Sequence, residues 1–435
     1  MEPLERCNKI KSLFPKQGLF DNHDWRCSPD PLFLEENLLQ QIQRLGQIFH
    51  SFNQACNRLY HASVAHKQPA WIAQWLDAGK PPALLELSRH KIFRNKTPLI
   101  IRPDLLLTDH GLSLCELDSV PGGIGATTWL QETYASFFSE VAGGHNGMRQ
   151  GWQTVFPEGD IVISQEASTY RPEMQWLNQN SPQIQIHSAE TYFATEKPIY
   201  RFFELFDIPN LANAPQWFET LLQGNTPITP PIKPFLEEKM WFAFFWLKPL
   251  QNFWRMELGE KNFQLLQEII PYTWILNPDP LPPQAVHPRL EIQSWEELFN
   301  FSQKQRRLVI KISGFSPLAW GARGVTFGHD ISAAEWKSAL QQALNSFPQQ
   351  PYILQVFENS QLHTTHYLDE KTQTIQSMNS RARLCPYYFV DDKDQAKLGG
   401  ILATLVPSDK KAIHGMRDAV MTTVAKKLKA FSPKL

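Results

Sequence analysis

Cysteine is scarce in this chain. Its five cysteines, Cys7, Cys27, Cys56, Cys115 and Cys385, stand far apart among 435 residues and show neither metal-ligand spacing nor a disulfide framework. An odd, unpatterned set of this kind suits a reducing compartment. Charge of one sign is lacking as well. The 42 Lys and Arg nearly cancel the 43 Asp and Glu, for a formal net charge of -1. With no long basic run, there is no electrostatic footing for a nucleic-acid partner. Long apolar runs are missing too: the most apolar stretch, Met240 to Leu247, falls far short of the roughly 20 residues needed to span a bilayer. The opening MEPLERCNKIKSLF carries no signal-peptide core. These absences lead to the expectation of a soluble, cytoplasmic protein with no membrane or nucleic-acid partner. No Ser/His/Asp or Cys/His set stands out as a nucleophile, and His61, His66 and His90 are isolated.

What the chain does have is bulk and two informative stretches. A hydrophobic content of 42% over this length supports a large core and two or three structural units. The first stretch runs from Leu99 to Gly125. Apolar runs Leu99–Leu107 and Leu112–Leu117 flank Asp109-His110-Gly111, which reads as a three-residue hairpin loop ending in glycine. Pairing Thr108 with Leu112 sets Leu106 opposite Leu114, Asp104 opposite Glu116 and Arg102 opposite Asp118, all on one face. Carboxylates facing each other across a hairpin repel unless a cation shares them. Mg²⁺ bound to a phosphate is the natural candidate, with Asp104, Glu116 and Asp118 as ligands. A solvated acidic rim is the competing reading. The run Pro121-Gly122-Gly123-Ile124-Gly125 brings bare backbone beside that face, or simply turns the chain into the next helix.

The second stretch begins at Arg307. It reads as a buried strand ending at Lys311, then a loop with Ser313, Gly314, Gly321 and Gly324, then a strand Val325–Phe327. Such a flap lays backbone N–H groups against phosphate oxygens. Lys311 would place a point charge on the α- or β-phosphate, and Arg323 a forked one on the γ-phosphate. It is not a Walker A loop, whose lysine follows its glycines and opens a helix. An ordinary hairpin with a long loop is the alternative.

The pattern R-x-D, hairpin, E-x-[ND] and Pro-Gly turn resembles the metal-binding strands of the ATP-grasp ligases. Because the acidic strands precede the nucleotide-binding lysines, the closer resemblance is to the circularly permuted branch, which includes glutathionylspermidine synthase and the eukaryotic type of glutathione synthetase. Asp118 stands where much of that superfamily has Asn. Further matches are Lys239, within a stretch that reads as an aromatic helix (Leu236 to Trp246), the Pro271-Tyr272-Thr273 passage, and the "[VI]-x-K … G-x-x-G" flap. The strand Tyr352 to Asn359 resembles the adenine-edge segment, which implies contacts from Gln355 and Phe357. Arg381 and Arg383 alternate on the strand Met378 to Phe389, and Gly399 to Leu405 resembles the closing strand.

The resemblance implies an α+β, circularly permuted ATP-grasp-like fold with a helical N-terminal region and a small parallel α/β substrate unit. The expected divisions are 1–95 helical, 96–150 acidic strands, 151–235 the small α/β unit, and 236–435 the nucleotide-binding half. Within these, helices are expected over Pro31–His66 and Thr127–Val141, parallel strands over Asp160–Ser164 and Ile184–His187, and a terminal helix from His414. The implied activity is ATP- and Mg²⁺-dependent joining of a carboxylate to an amine or thiol through an acyl phosphate. Arg102, Arg323 and Arg383 would be catalytic; Lys239, Lys311, Ser313, Gly314, Gly321, Gly324, Gln355 and Phe357 would bind ATP. The partners would be a small acid or peptide and an amine. A nucleotide binder without ligase activity, or a phosphotransferase on the same scaffold, are the alternatives.

Overall fold

The apolar repeat of residues 31–66 folds as one long helix, Glu36–Val64, whose buried stripe includes Ile42, Leu45, Phe49, Phe52, Cys56 and Leu59. The helix starts later than the repeat suggests because Leu32–Leu34 is extended and pairs in parallel with Val420–Lys426. The protein is described as a computed structural model over all residues except 17, 20–24, 119, 225, 320–322, 411–412, 414–416 and 429–435. The N-terminal region is otherwise helical, with Pro3–Ser12 among its helices.

Three sheets organise the described residues. In the largest the strand order is Leu32–Leu34, Val420–Lys426, Ala396–Pro407, Thr374–Val390, Ile100–Thr108 and Gly111–Asp118. Leu362–Asp369 also pairs with the long strand Thr374–Val390. The chain's C-terminal part is therefore a strand where a helix was expected: Val420, Thr422, Thr423 and Val424 are buried, and β-branched residues favour a packed strand. His414, where that helix was to begin, lies outside the described residues. The second sheet is antiparallel, in the order Val325–Phe327, Leu308–Ile312, Tyr352–Val356, Thr273–Ile275. The third is parallel: Ile184–Ser188, Gly159–Ile163, Ile199–Phe202, Ile228–Thr229.

One core joins the long helix, a face of the large sheet and the aromatic helix Met240–Trp246, every residue of which is buried. Phe52 stacks on Trp254 at 5.3 Å, and the Tyr388 hydroxyl donates to the Ile42 carbonyl. A second core fills the space between the sheet's other face and the helices Ile124–Ala135, Gly147–Val155 and Arg171–Leu177. The acidic hairpin sits at the edge of the large sheet, next to the antiparallel sheet that carries Lys311.

Candidate functional site

The hairpin turns tighter than its sequence suggests, with Thr108 paired to Gly111 and only Asp109 and His110 between them. Leu106 consequently faces Ser113 rather than Leu114. A β-bulge at Cys115 then absorbs one residue, so Asp104 faces Glu116 and Arg102 faces Asp118, as the alternation predicts. The bulge also turns the Cys115 carbonyl out of the ladder, and Lys311 Nζ donates to it at 3.1 Å. Beyond the hairpin, Tyr387 Oη donates to the Gly122 carbonyl at 2.6 Å and Arg102 Nη1 to the same oxygen at 3.1 Å. Gly122 has to be glycine here, since a Cβ would come within 2.3 Å of the Tyr170 ring.

Hairpin and antiparallel sheet enclose a cleft of about 630 Å³. Of the residues singled out in the sequence, Arg102, Asp104, Glu116, Asp118, Lys239, Lys311, Gln355, Phe357 and Arg383 line it together. Its far end is aromatic: Phe327 and His329 lie 5.9 and 4.4 Å from the Phe357 ring. Phe327 and His329 were missed, although Phe327 was legible. It pairs with Val309 one alternation on from Val325–Lys311, which puts it on the lysine's face.

Charges are matched within the cleft. Asp104 is 3% exposed and is held by Arg383 at 2.9 Å, Arg102 at 3.3 Å and the Cys385 thiol at 3.3 Å. Arg102 also reaches Asp118 at 2.7 Å, and Lys239 reaches Glu116 at 2.8 Å. Burial works against the Asp104 charge, but Arg383 and Arg102 outweigh it and hold the carboxyl below its usual range. Asp118 moves the other way, raised by burial and by Glu116 despite Arg102. Burial also lowers the affinity of Lys311 for its proton.

Several assignments need correcting. Both Asp104 oxygens are engaged by arginines and a thiol, which makes it an anchor for two guanidinium groups and a poor third metal ligand. Among the described residues no group of three or more His, Cys, Asp or Glu is arranged to hold a metal ion. Glu116 and Asp118, two positions apart on one face, are an all-oxygen pair of the kind Mg²⁺ takes; Lys239 holds one Glu116 oxygen at 2.8 Å, and Asp118 accepts from Val120 N at 2.9 Å and pairs with Arg102 at 2.7 Å. Gln355 directs its amide at protein partners: its Oε1 accepts from Lys311 Nζ at 2.7 Å and its Nε2 donates to Thr273 Oγ1 at 3.0 Å. Ser313 is fully buried outside the cleft and bonds to Glu238 and Met240. Gly314 packs against the Glu237 carbonyl and the Glu238 carboxylate, and Gly324 against the Leu318 carbonyl. Arg323 Nη2 pairs with Glu166 at 2.9 Å, in the loop after Gly159–Ile163, and does not line the cleft. Gly321 lies outside the described residues.

Neither a protein-family profile nor a curated protein matches the sequence. Solved structures do. A glutathione synthetase-like effector from Globodera pallida, in its apo form, aligns over 98% of both chains with a TM-score of 0.56 at 11% identity. The chain has the fold of that effector. A Methylobacillus flagellatus KT protein provisionally named a gamma-glutamylcysteine synthetase covers 83% of each chain, at a TM-score of 0.37 and 11% identity, too loose to add to this. The chain is thus a mixed α/β architecture of several sheets, similar in fold to that effector, with a charged cleft between two of its own sheets. No helix among its described residues is long and apolar enough to cross a membrane.

Proposed function

We propose that the cleft binds Mg-ATP and that the protein is a ligase of the permuted ATP-grasp kind, joining a carboxylate to an amine through an acyl phosphate. One observation carries this reading: carboxylates Glu116 and Asp118 and lysines Lys239 and Lys311, from distant parts of the sequence, line a single cleft of nucleotide size. A second supports it. Arg383 Nε is buried in the cleft and makes no hydrogen bond among the described residues. A buried donor of this kind calls for an acceptor, and a phosphate oxygen is one that suits a guanidinium.

In this reading Lys311 and Lys239 offset phosphate charge, and the Phe327–His329–Phe357 end of the cleft receives the base. Glu116 and Asp118 would hold Mg²⁺, which would offset phosphate charge there. Arg102 and Arg383 orient the γ-phosphoryl group toward a substrate carboxylate. The carboxylate oxygen bonds to the γ-phosphorus as the bond to ADP breaks. The amine then attacks the acyl carbon, phosphate leaves, and the amine's proton passes to water. Asp104 holds the two arginines in place throughout.

ADP release from Mg-ATP, measured across amino acids, short peptides and polyamines with hydroxylamine present to trap an acyl phosphate, tests the proposal. Acid-dependent ADP release with a hydroxamate product is expected. ATP binding without ADP release under every pairing would make the protein a nucleotide binder, and a stable phosphoester would make it a phosphotransferase.

A further inference from the structure

The two lysines of the cleft are joined by one serine. Ser313 follows the strand Leu308–Ile312 that carries Lys311, and it is fully buried. It bonds to three consecutive residues of another segment. Its carbonyl accepts from Lys239 N at 2.6 Å, its hydroxyl accepts from Met240 N at 3.0 Å, and the same hydroxyl donates to Glu238 Oε2. The other Glu238 oxygen is bonded to Lys80 Nζ, and both of these side chains are 1% exposed. Lys80 comes from the link between the helices Ala70–Asp77 and Pro82–Arg89. The clasp closes tightly: a Cβ on Gly314 would come within 2.7 Å of the Glu237 carbonyl.

Glu238 adjoins Lys239 in sequence and would compete for its ammonium if it were free. Lys80 saturates it, and Lys239 Nζ pairs instead with Glu116 at 2.8 Å and donates to the Ala319 carbonyl at 3.3 Å. We propose that Ser313 is a positioning residue, fixing Lys239 beside Glu116 at a set span from Lys311, with Lys80 as the counter-charge that keeps Glu238 out of the cleft. This deepens the ligase reading, on which its consequence for catalysis rests.

The test reads the lysine directly. Full-length protein is treated with an amine-acetylating reagent, N-hydroxysuccinimidyl acetate, and acetylation is followed at each lysine by mass spectrometry. In Ser313→Ala the rate at Lys239 should rise about fivefold while Lys311 stays within about twofold of wild type, as loss of local hydrogen bonds implies. Should that variant fail to fold, Lys80→Met/Glu238→Leu removes both buried charges together and takes the acceptor from Ser313; the same selective rise is expected. An unchanged Lys239 rate, or equal rises at both lysines, overturns the proposal, since general loosening exposes the two alike. Mg-ATP affinity is measured on the same samples. Wild type that fails to bind Mg-ATP sinks the ligase reading and leaves the acetylation result to decide the clasp.

Discussion

Arg383 and Asp104 meet at 2.9 Å although 279 residues separate them in the chain. The pair ties the long strand Thr374–Val390 to the acidic hairpin at the floor of the cleft. Asp104→Asn leaves two guanidinium groups facing a neutral amide in a buried place. Urea unfolding should show a loss of about 3 kcal/mol, the usual result of removing one partner of a buried ion pair. A loss too small to measure would mean that the arginines are held by something else.

Acid and base should affect stability through Glu173. It is 5% exposed, its carboxylate accepts from Gly123 N at 2.8 Å and Ala126 N at 3.2 Å, and burial pushes its pKa up from 4.5 to about 7 despite those bonds. A raised carboxyl pKa means the folded state holds the proton longer than the unfolded one. Its stabilisation is complete below the unfolded value and is lost as pH climbs through the folded value. Unfolding free energy should therefore fall by about 3 kcal/mol between pH 4.5 and 7 on account of this group. Glu173→Gln should flatten that slope in chemical denaturation across the same window.

Lys311→Ala should abolish measurable Mg-ATP binding in titration calorimetry. Glu116→Gln should spare ATP affinity more than turnover, because its charge is needed most while the phosphoryl group moves. Full activity in Glu116→Gln would count against its place beside the metal.

Gln355 offers a sharper distinction. Its amide is spent on Lys311 and Thr273. Gln355→Leu should weaken ATP and GTP binding by the same factor, about tenfold for a charge-assisted hydrogen bond lost beside a phosphate-binding lysine. A change confined to ATP would restore the residue to the base.

Arg323 and Glu166 join the flap between Leu308–Ile312 and Val325–Phe327 to the loop after Gly159–Ile163 across partly exposed side chains. If that ion pair is the arginine's main task, Arg323→Ala and Glu166→Ala should raise proteolytic cleavage of the flap equally, and the double variant should add little. Loss of turnover in Arg323→Ala alone would return it to the γ-phosphate.

Alternation along a strand carried much of this. Arg102, Asp104, Glu116 and Asp118 were placed on one face by counting, and the structure pairs them as counted. The count came right through two compensating departures, a shorter turn and the bulge at Cys115, neither of which leaves a local trace in the residues. Lys311 was legible as the end of a buried strand. Ser313 and Gln355 were misread because a sequence shows that a side chain is polar, and only packing decides which neighbour takes its hydrogen bonds. The strand Val420–Lys426 was read as helix because its partner, Leu32–Leu34, is nearly the whole chain away and no local pattern announces it.

That partnership has a bearing on biosynthesis. Leu32–Leu34 emerges from the ribosome long before Val420–Lys426, yet it adjoins that strand, which also bridges it to the rest of the large sheet. The first strand must wait on the order of tens of seconds at ordinary elongation rates before its neighbour exists. Completion of the large sheet therefore waits for Val420–Lys426 to emerge, and nascent chains stalled short of Val420 should present an unsealed edge to chaperones.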